Sequence, residues 1–203
     1  MICTGLLALL WMSLASQSPD REIFFDRYGP EQGLHSRQIR DIVQSSDGFI
    51  WMATNEGLVR YDGKEFVLFF DKEVPAHLST NRYVEAMTID DRDQIWMANN
   101  EQVSVYSVPA GTWNYLIDST GSSAIFAMDF RYDPKKHRMW ISGGRGLCFV
   151  DENFKVHPFS FREPNYARFT YNTITLQHDT AIWLGNTYGY YRLNPKTGTM
   201  EDY

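Results

Sequence analysis

Three arginines and a tyrosine are the residues of this chain best suited to hold a ligand. Arg37 and Arg82 each stand fourteen residues before a tryptophan, Trp51 and Trp96, and Arg168 stands near the matching place before Trp183. A guanidinium presents a planar fork of N–H donors that meets a carboxylate through paired hydrogen bonds, so arginines at a repeated offset suit an acidic sugar. Tyr188, together with Tyr166, Trp113 and Phe169, offers flat faces for sugar rings. A plainer reading assigns them no ligand: exposed arginines are commonly solvated charges, and most of the 6 Trp, 12 Tyr and 13 Phe must fill a core. The residues alone leave both readings open.

Catalytic chemistry finds no comparable pattern. His35, His77, His137, His157 and His178 show no zinc-type spacing with one another or with carboxylates, so no metal is expected. Nucleophile-elbow, phosphate-loop and dinucleotide motifs are missing from the sequence, and no cofactor or catalytic residue is expected. The stretch Ser45-Ser46-Asp47-Gly48 approaches a sialidase Asp-box, but that motif needs a residue between Asp and Gly. Paired glycosidase carboxylates stay open, since any two of the 25 Asp and Glu can meet in space. Cys148 lies in the apolar run Gly146 to Val150 and reads as a core thiol; Cys3 is the only other cysteine, so no internal disulfide is expected once a leader is removed. With 19 Lys and Arg against those 25 acids, a net charge of -6 offers no phosphate-neutralising surface, which argues against a nucleic-acid partner.

What must position these residues is a repeat. Four segments share one pattern: Ile50-Trp51-Met52-Ala53, Ile95-Trp96-Met97-Ala98, Met139-Trp140-Ile141-Ser142 and Ile182-Trp183-Leu184-Gly185, spaced by 45, 44 and 43 residues. Short apolar runs ending in a small residue suit strands covered on both faces. Six residues beyond each Trp stands Gly57, Gln102, Gly146 or Gly189, and a second strand follows. Glycine takes the positive φ of a tight hairpin cheaply, so the Gln102 turn is expected to be looser. A further strand precedes each Trp strand, and nine residues before three of the tryptophans lie Ile42, Met87 and Ile174. In the third copy Met128 is twelve residues before Trp140, which predicts a hairpin about three residues longer through Asp133 to His137. With an outer strand such as Glu65 to Phe70, each unit becomes four antiparallel strands in about 44 residues, the signature of a β-propeller blade. The four tryptophans, Trp51, Trp96, Trp140 and Trp183, are accordingly expected in the blade cores.

Residues 26 to 62 carry a more specific likeness. Gly33-Leu34-His35-Ser36, then Asp47-Gly48-Phe49-Ile50-Trp51-Met52-Ala53-Thr54, then Gly57-Leu58-Val59-Arg60-Tyr61-Asp62-Gly63 resemble the two-component regulator propeller repeat. The later copies match more loosely, and the likeness extends over residues 22 to 203. It implies the extracytoplasmic sensor region of Bacteroidetes hybrid two-component proteins. There two seven-bladed propellers precede a small β-sandwich, a membrane span, a histidine kinase core, a receiver and a helix-turn-helix output. No kinase or receiver signature occurs in this chain.

The expected organisation is therefore all-β. Residues 1–15, an uncharged apolar run ending in small residues, read as a signal peptide, with about residue 20 as the alternative end. Residues 22–203 read as a partial propeller of about four blades, with repeats near 36–70, 82–117, 124–160 and 170–203, and the resemblance implies that they are part of a seven-bladed ring. Glu22 to Asp26 reads as an outer strand donated to a last blade. Uncovered end blades would expose apolar surface, so missing blades or another copy of the chain are the expected partners, with the membrane reached only through downstream parts. The resemblance implies an exported, periplasmic module sensing an oligosaccharide. A truncated propeller enzyme such as a lyase and a plain interaction scaffold are the alternatives.

Overall fold

The computed structural model describes residues 24–69, 82–99, 102–117, 125–144, 146–178 and 180–203. The expected signal peptide and the first residues of the donated strand lie outside the described residues. Among the described residues, sixteen strands form four sheets of four, each antiparallel and ordered as in the chain. The first sheet holds β1 (Ile39–Gln44), β2 (Ile50–Thr54), β3 (Gly57–Tyr61) and β4 (Phe66–Phe69). The second holds β5 (Ala86–Ile89), β6 (Gln94–Ala98), β7 (Val103–Ser107) and β8 (Thr112–Tyr115). The third holds β9 (Ala127–Asp133), β10 (Arg138–Gly143), β11 (Gly146–Val150) and β12 (Val156–Pro158), and the fourth β13 (Thr173–Gln177), β14 (Ala181–Asn186), β15 (Gly189–Leu193) and β16 (Met200–Asp202). These are the blades the repeat predicts. The first strands of successive blades, β1, β5, β9 and β13, lie side by side, which makes them the inner strands. Among the described residues no helix is long and apolar enough to cross a membrane.

The core sits between blades. One cluster joins Trp51, Ala53 and Leu58 of the first blade to Met87, Ile95 and Tyr106 of the second. The next joins Trp96, Ala98 and Val103 to Phe130, Met139 and Ile141, and the last joins Trp140 and Leu147 to Tyr171, Ile174 and Leu184. Apolar residues such as these each contribute roughly 1.5–3 kcal/mol when fully buried. A buried indole N–H also needs an acceptor. Trp51 donates to Ser45 Oγ (2.9 Å) and Trp96 to Asp90 Oδ2 (3.0 Å); Trp183, expected in a blade core but only partly buried, donates to Gln177 Oε1 (2.8 Å), in each case a side chain six residues upstream. The third blade has Pro134 at that place, and there the Arg138 guanidinium covers the Trp140 ring at 4.4 Å instead.

Three local expectations are corrected. Residue Phe130, not Met128, faces Ile141 as Ile42 faces Met52 and Ile174 faces Leu184. The third hairpin is thus one residue longer rather than three. Met128 lies two residues further from the hairpin and is itself the one extra residue of an irregularity, where the partners step from Ser142↔Asp129 to Gly143↔Ala127. The Gln102 turn is closed rather than loose: Asn99 N–H donates to Gln102 C=O (3.1 Å) and Asn99 Oδ1 accepts the Gln102 N–H (2.8 Å). Finally, residues 24–26 form no strand, and Phe24 and Phe25 are exposed. A strand needs a sheet edge to satisfy its backbone, and the blade expected to supply one is not among the four here.

Candidate functional site

In a four-stranded antiparallel blade the connections alternate between the two ends of the sheet. The links entering β1, β5 and β13 therefore share an end with the β2–β3, β10–β11 and β14–β15 turns. Arg37, Arg82 and Arg168 occupy those links, Tyr188 occupies the β14–β15 turn, and all four are exposed. Arg168 closes a short 3-10 turn, Pro164–Arg168, so Phe169 takes the fourteen-residue offset held by Arg37 and Arg82. Asn186 Oδ1 accepts the Tyr188 and Gly189 N–H groups (2.8 and 3.2 Å), which holds that turn with the Tyr188 ring in solvent.

The turn glycines do two jobs at this end. Gly57, Gly146 and Gly189 have φ of 133°, 84° and 158°. A Cβ on Gly57 would lie 3.5 Å from Arg82 O, and one on Gly146 would lie 3.0 Å from Ala167 O. The link into the following blade crosses directly over the turn, so the turn residue must be small as well as free at φ. Arg82 and Arg168 are placed by that crossing.

The four predicted residues do not converge on one point. Arg37 lines a cleft of ≈ 640 Å³ together with Arg27, Tyr28, Glu31, Gln32 and Ser36, and the lining does not include Arg82, Arg168 or Tyr188. Its wall is a 3-10 turn, Pro30–Gln32, closed by Gln32 Oε1 accepting the Gly29 N–H at 2.9 Å. Tyr28 is held edge-on to Phe66 at 5.6 Å, and Phe66 stacks on Tyr61 at 4.4 Å. The hydrogen bond that the Tyr61 hydroxyl donates to Tyr28 raises the Tyr61 phenol above its ordinary value, so Tyr61 stays a neutral donor near neutral pH. Neither the Arg27 nor the Arg37 guanidinium has a carboxylate at ion-pair distance among the described residues. Two open cations beside phenol and amide groups form a cleft able to take an anionic, hydroxyl-rich ligand. Sequence reasoning missed Arg27 because it precedes the first repeat and has no counterpart in the others.

At the opposite end, acids close turns. Asp62 Oδ1 accepts the Lys64 and Glu65 N–H groups, Asp151 Oδ1 those of Asn153 and Lys155, and Asn194 Oδ1 those of Lys196 and Thr197. His157 Nε2 lies 2.8 Å from Asp151 Oδ2, and that hydrogen bond, with the N–H groups, holds the Asp151 carboxyl below its usual range. Desolvation, then the hydrogen bond to Asp91, raise the Tyr132 phenol, so it donates rather than ionises. Among the described residues no group of three or more His, Cys, Asp and Glu could hold a metal. Burial pushes the Cys148 thiol up to about 12, leaving it a neutral thiol at pH 8. We expect native protein at pH 8 to resist iodoacetamide at Cys148 and denatured protein to be alkylated at once; mass spectrometry showing equal labelling would contradict the burial.

Stacked four-stranded blades packed through inter-blade apolar clusters define a β-propeller protein. Comparison with known proteins agrees. Residues 33–56, which run from the lead-in through β2 of the first blade, match the family model described as the two component regulator propeller. No curated protein sequence matches the chain. Among solved structures, the extracellular domain assigned to a hybrid two component system of B. thetaiotaomicron aligns with TM-score 0.74 and 19% identity, covering 88% of this chain and 26% of that one. An extracellular domain assigned to a one component system of the same organism gives 0.63 and 23% identity, over 84% of this chain and 22% of that one. Virginiamycin B lyase from Staphylococcus aureus gives 0.61 and 14% identity, over 81% and 55%. The chain thus spans about a quarter of the first two structures. At these identities the likeness establishes the propeller fold, and a lyase and signalling domains share it.

Proposed function

We propose that this chain is part of an extracytoplasmic sensing propeller that binds an acidic oligosaccharide and passes its occupancy to a signalling protein. The observation that carries the reading is the two component regulator propeller match over residues 33–56. Support comes from the extracellular signalling domains with which the blades align, and from the apolar run at 1–15, whose sequence ends in small residues as a signal peptide does. The ligand class rests on the cleft: the Arg27 and Arg37 forks pair with carboxylates, while Tyr28, Gln32 and Ser36 address hydroxyl groups. Arg82, Arg168 and Tyr188 lie at the same end of the blades and serve a longer chain of sugars.

Calorimetric titration of the 203-residue chain with oligogalacturonate and with its neutral, methyl-esterified form tests this. Each charge-assisted pair contributes about 1.5–3 kcal/mol, so Arg27→Ala with Arg37→Ala should weaken acidic-saccharide binding tenfold or more without changing the melting temperature. Equal affinity for the acidic and neutral forms, or for the double variant, would remove the cleft from the reading.

A further inference from the structure

The residues that line the cleft all come from one stretch, 27–39, which holds the lead-in and the start of the first inner strand. Two of them are guanidiniums, Arg27 and Arg37, and one is a carboxylate, Glu31. Opposite charges in a shared cleft ordinarily meet. Glu31, however, is within ion-pair distance of neither arginine, nor of any other Lys or Arg among the described residues. Separate anchors hold the two walls. The Pro30–Gln32 turn is closed at both ends, by Gln32 Oε1 accepting the Gly29 N–H (2.9 Å) and by Gly33 N–H donating to Pro30 C=O (3.1 Å), and the buried Leu34 packs it onto Met52 and Val59 of the first blade. Arg37 follows the buried Ser36, whose hydroxyl accepts the Gln38 N–H (3.2 Å) and bonds Asn55 in the β2–β3 turn.

The two kinds of group ask for different things of a ligand. A guanidinium only donates, and it suits a carboxylate. An ionised carboxylate only accepts, so it suits hydroxyl or amine donors and repels a second carboxylate. A saccharide with an acid on every ring cannot satisfy both walls, because the ring lying against Glu31 brings like charges together. One that alternates acidic and uncharged rings sets its carboxylate on the arginines and its hydroxyl groups on Glu31.

We propose that Glu31 determines specificity in this cleft, favouring a saccharide that alternates uronate with uncharged sugars over an unbroken run of uronates; this rests on the acidic-saccharide reading above. The arginines then supply affinity for an acid, and Glu31 chooses among acidic chains by what stands next to that acid.

Calorimetric titration of the wild-type 203-residue chain and of Glu31→Gln with two probes tests this: tetragalacturonate, which is a run of uronates, and a hyaluronan tetrasaccharide, which alternates uronate with an uncharged amino sugar derivative. Glu31 is exposed, so the variant should keep the wild-type melting temperature. Removing its charge should tighten tetragalacturonate about three- to fivefold at low salt. That gain should fade in about 1 M salt, where the screening length is about 3 Å, whereas a change in cleft shape would persist. The hyaluronan tetrasaccharide loses an acceptor for its hydroxyl groups and should bind the variant no better than the wild type. Equal tightening of both probes, or an unchanged affinity for tetragalacturonate, would overturn the role of Glu31 and leave the arginine reading standing. A wild type that binds neither probe would remove the acidic-saccharide reading and the role of Glu31 with it.

Discussion

Trp96→Ala should lower the unfolding free energy by about 3–5 kcal/mol, while Trp183→Ala, the same change at the same repeat position, should cost about 1–2 kcal/mol. Trp96 is fully buried and packs with Val105 on its own blade and with Phe130, Met139 and Ile141 of the next. Its ring centroid lies 5.7 Å from that of Phe154, and its N–H is one of the groups satisfying the buried Asp90 carboxylate. Truncation removes contacts on both sides of an inter-blade layer and leaves a cavity that two sheets held by their own hydrogen bonds cannot close. Trp183 has a neighbouring blade on one side only, with Tyr203 at 5.1 Å and Gln177 accepting its N–H. Its loss is largely that of partly exposed apolar area. Urea denaturation followed by circular dichroism decides the matter, with midpoints compared at unchanged slope. Equal losses at the two sites would mean that the inter-blade layers do not carry the stability. Because each blade touches only its neighbours, losses within one junction should be coupled and losses in separate junctions additive.

The second large effect comes from one glycine. Gly143→Ala should cost about 3 kcal/mol or more, a fall in melting temperature of roughly 6 °C or more for a chain of this size. A Cβ at Gly143 would stand 1.9 Å from Phe126 O and 2.9 Å from Phe126 C, which are backbone atoms with no rotamer to give. The chain crosses here because Gly144 N–H donates to Phe126 C=O (3.1 Å) while Tyr171 N–H, from the link to the fourth blade, donates to Gly143 C=O (3.2 Å). Any shift that admits the methyl group disturbs both bonds and the ladder beside them. Gly48 is the control. Its φ of 92° is unfavourable for alanine, but nothing lies within 4 Å of a Cβ there, so Gly48→Ala should cost only about 1 kcal/mol. Gly143 has no positive φ, so a Gly143→Ala loss no greater than that of Gly48→Ala would mean that the close crossing yields to a methyl group at little cost.

Much of the architecture is legible in the chain because it is local and repeated. The apolar-Trp-apolar-small run marks β2, β6, β10 and β14, and the spacing of about 44 residues leaves room for four strands. Asp62, Asp151 and Asn194 announce their turns, since a short acceptor side chain reaches its own backbone N–H groups two or three residues on. The side chain six residues before Trp is a further readable mark, present as Ser45, Asp90 and Gln177 and replaced at Pro134. The candidate site was less legible. Arg37 follows from its repeat offset, but Arg27 lies before the repeats and joins Arg37 only because the Pro30–Gln32 turn folds the lead-in back into the cleft. Arg82 and Arg168 share the offset and the end of the blades without sharing the cleft, because each belongs to a different blade.

Strand order, turn positions and blade count thus follow from residue type and spacing, which act over a few residues and need no partner to be read. Burial does not follow in that way. Trp51, Trp96, Trp140 and Trp183 have one sequence context, yet three vanish between blades and the fourth keeps an uncovered side, as Tyr190 and Ile42 do at the two ends of the array. Register around Met128 and the tolerance of Gly143 are likewise settled by which backbone passes nearby. A side chain's environment is made by its neighbours across the junction, and residue type and spacing within one repeat do not say which neighbour stands there.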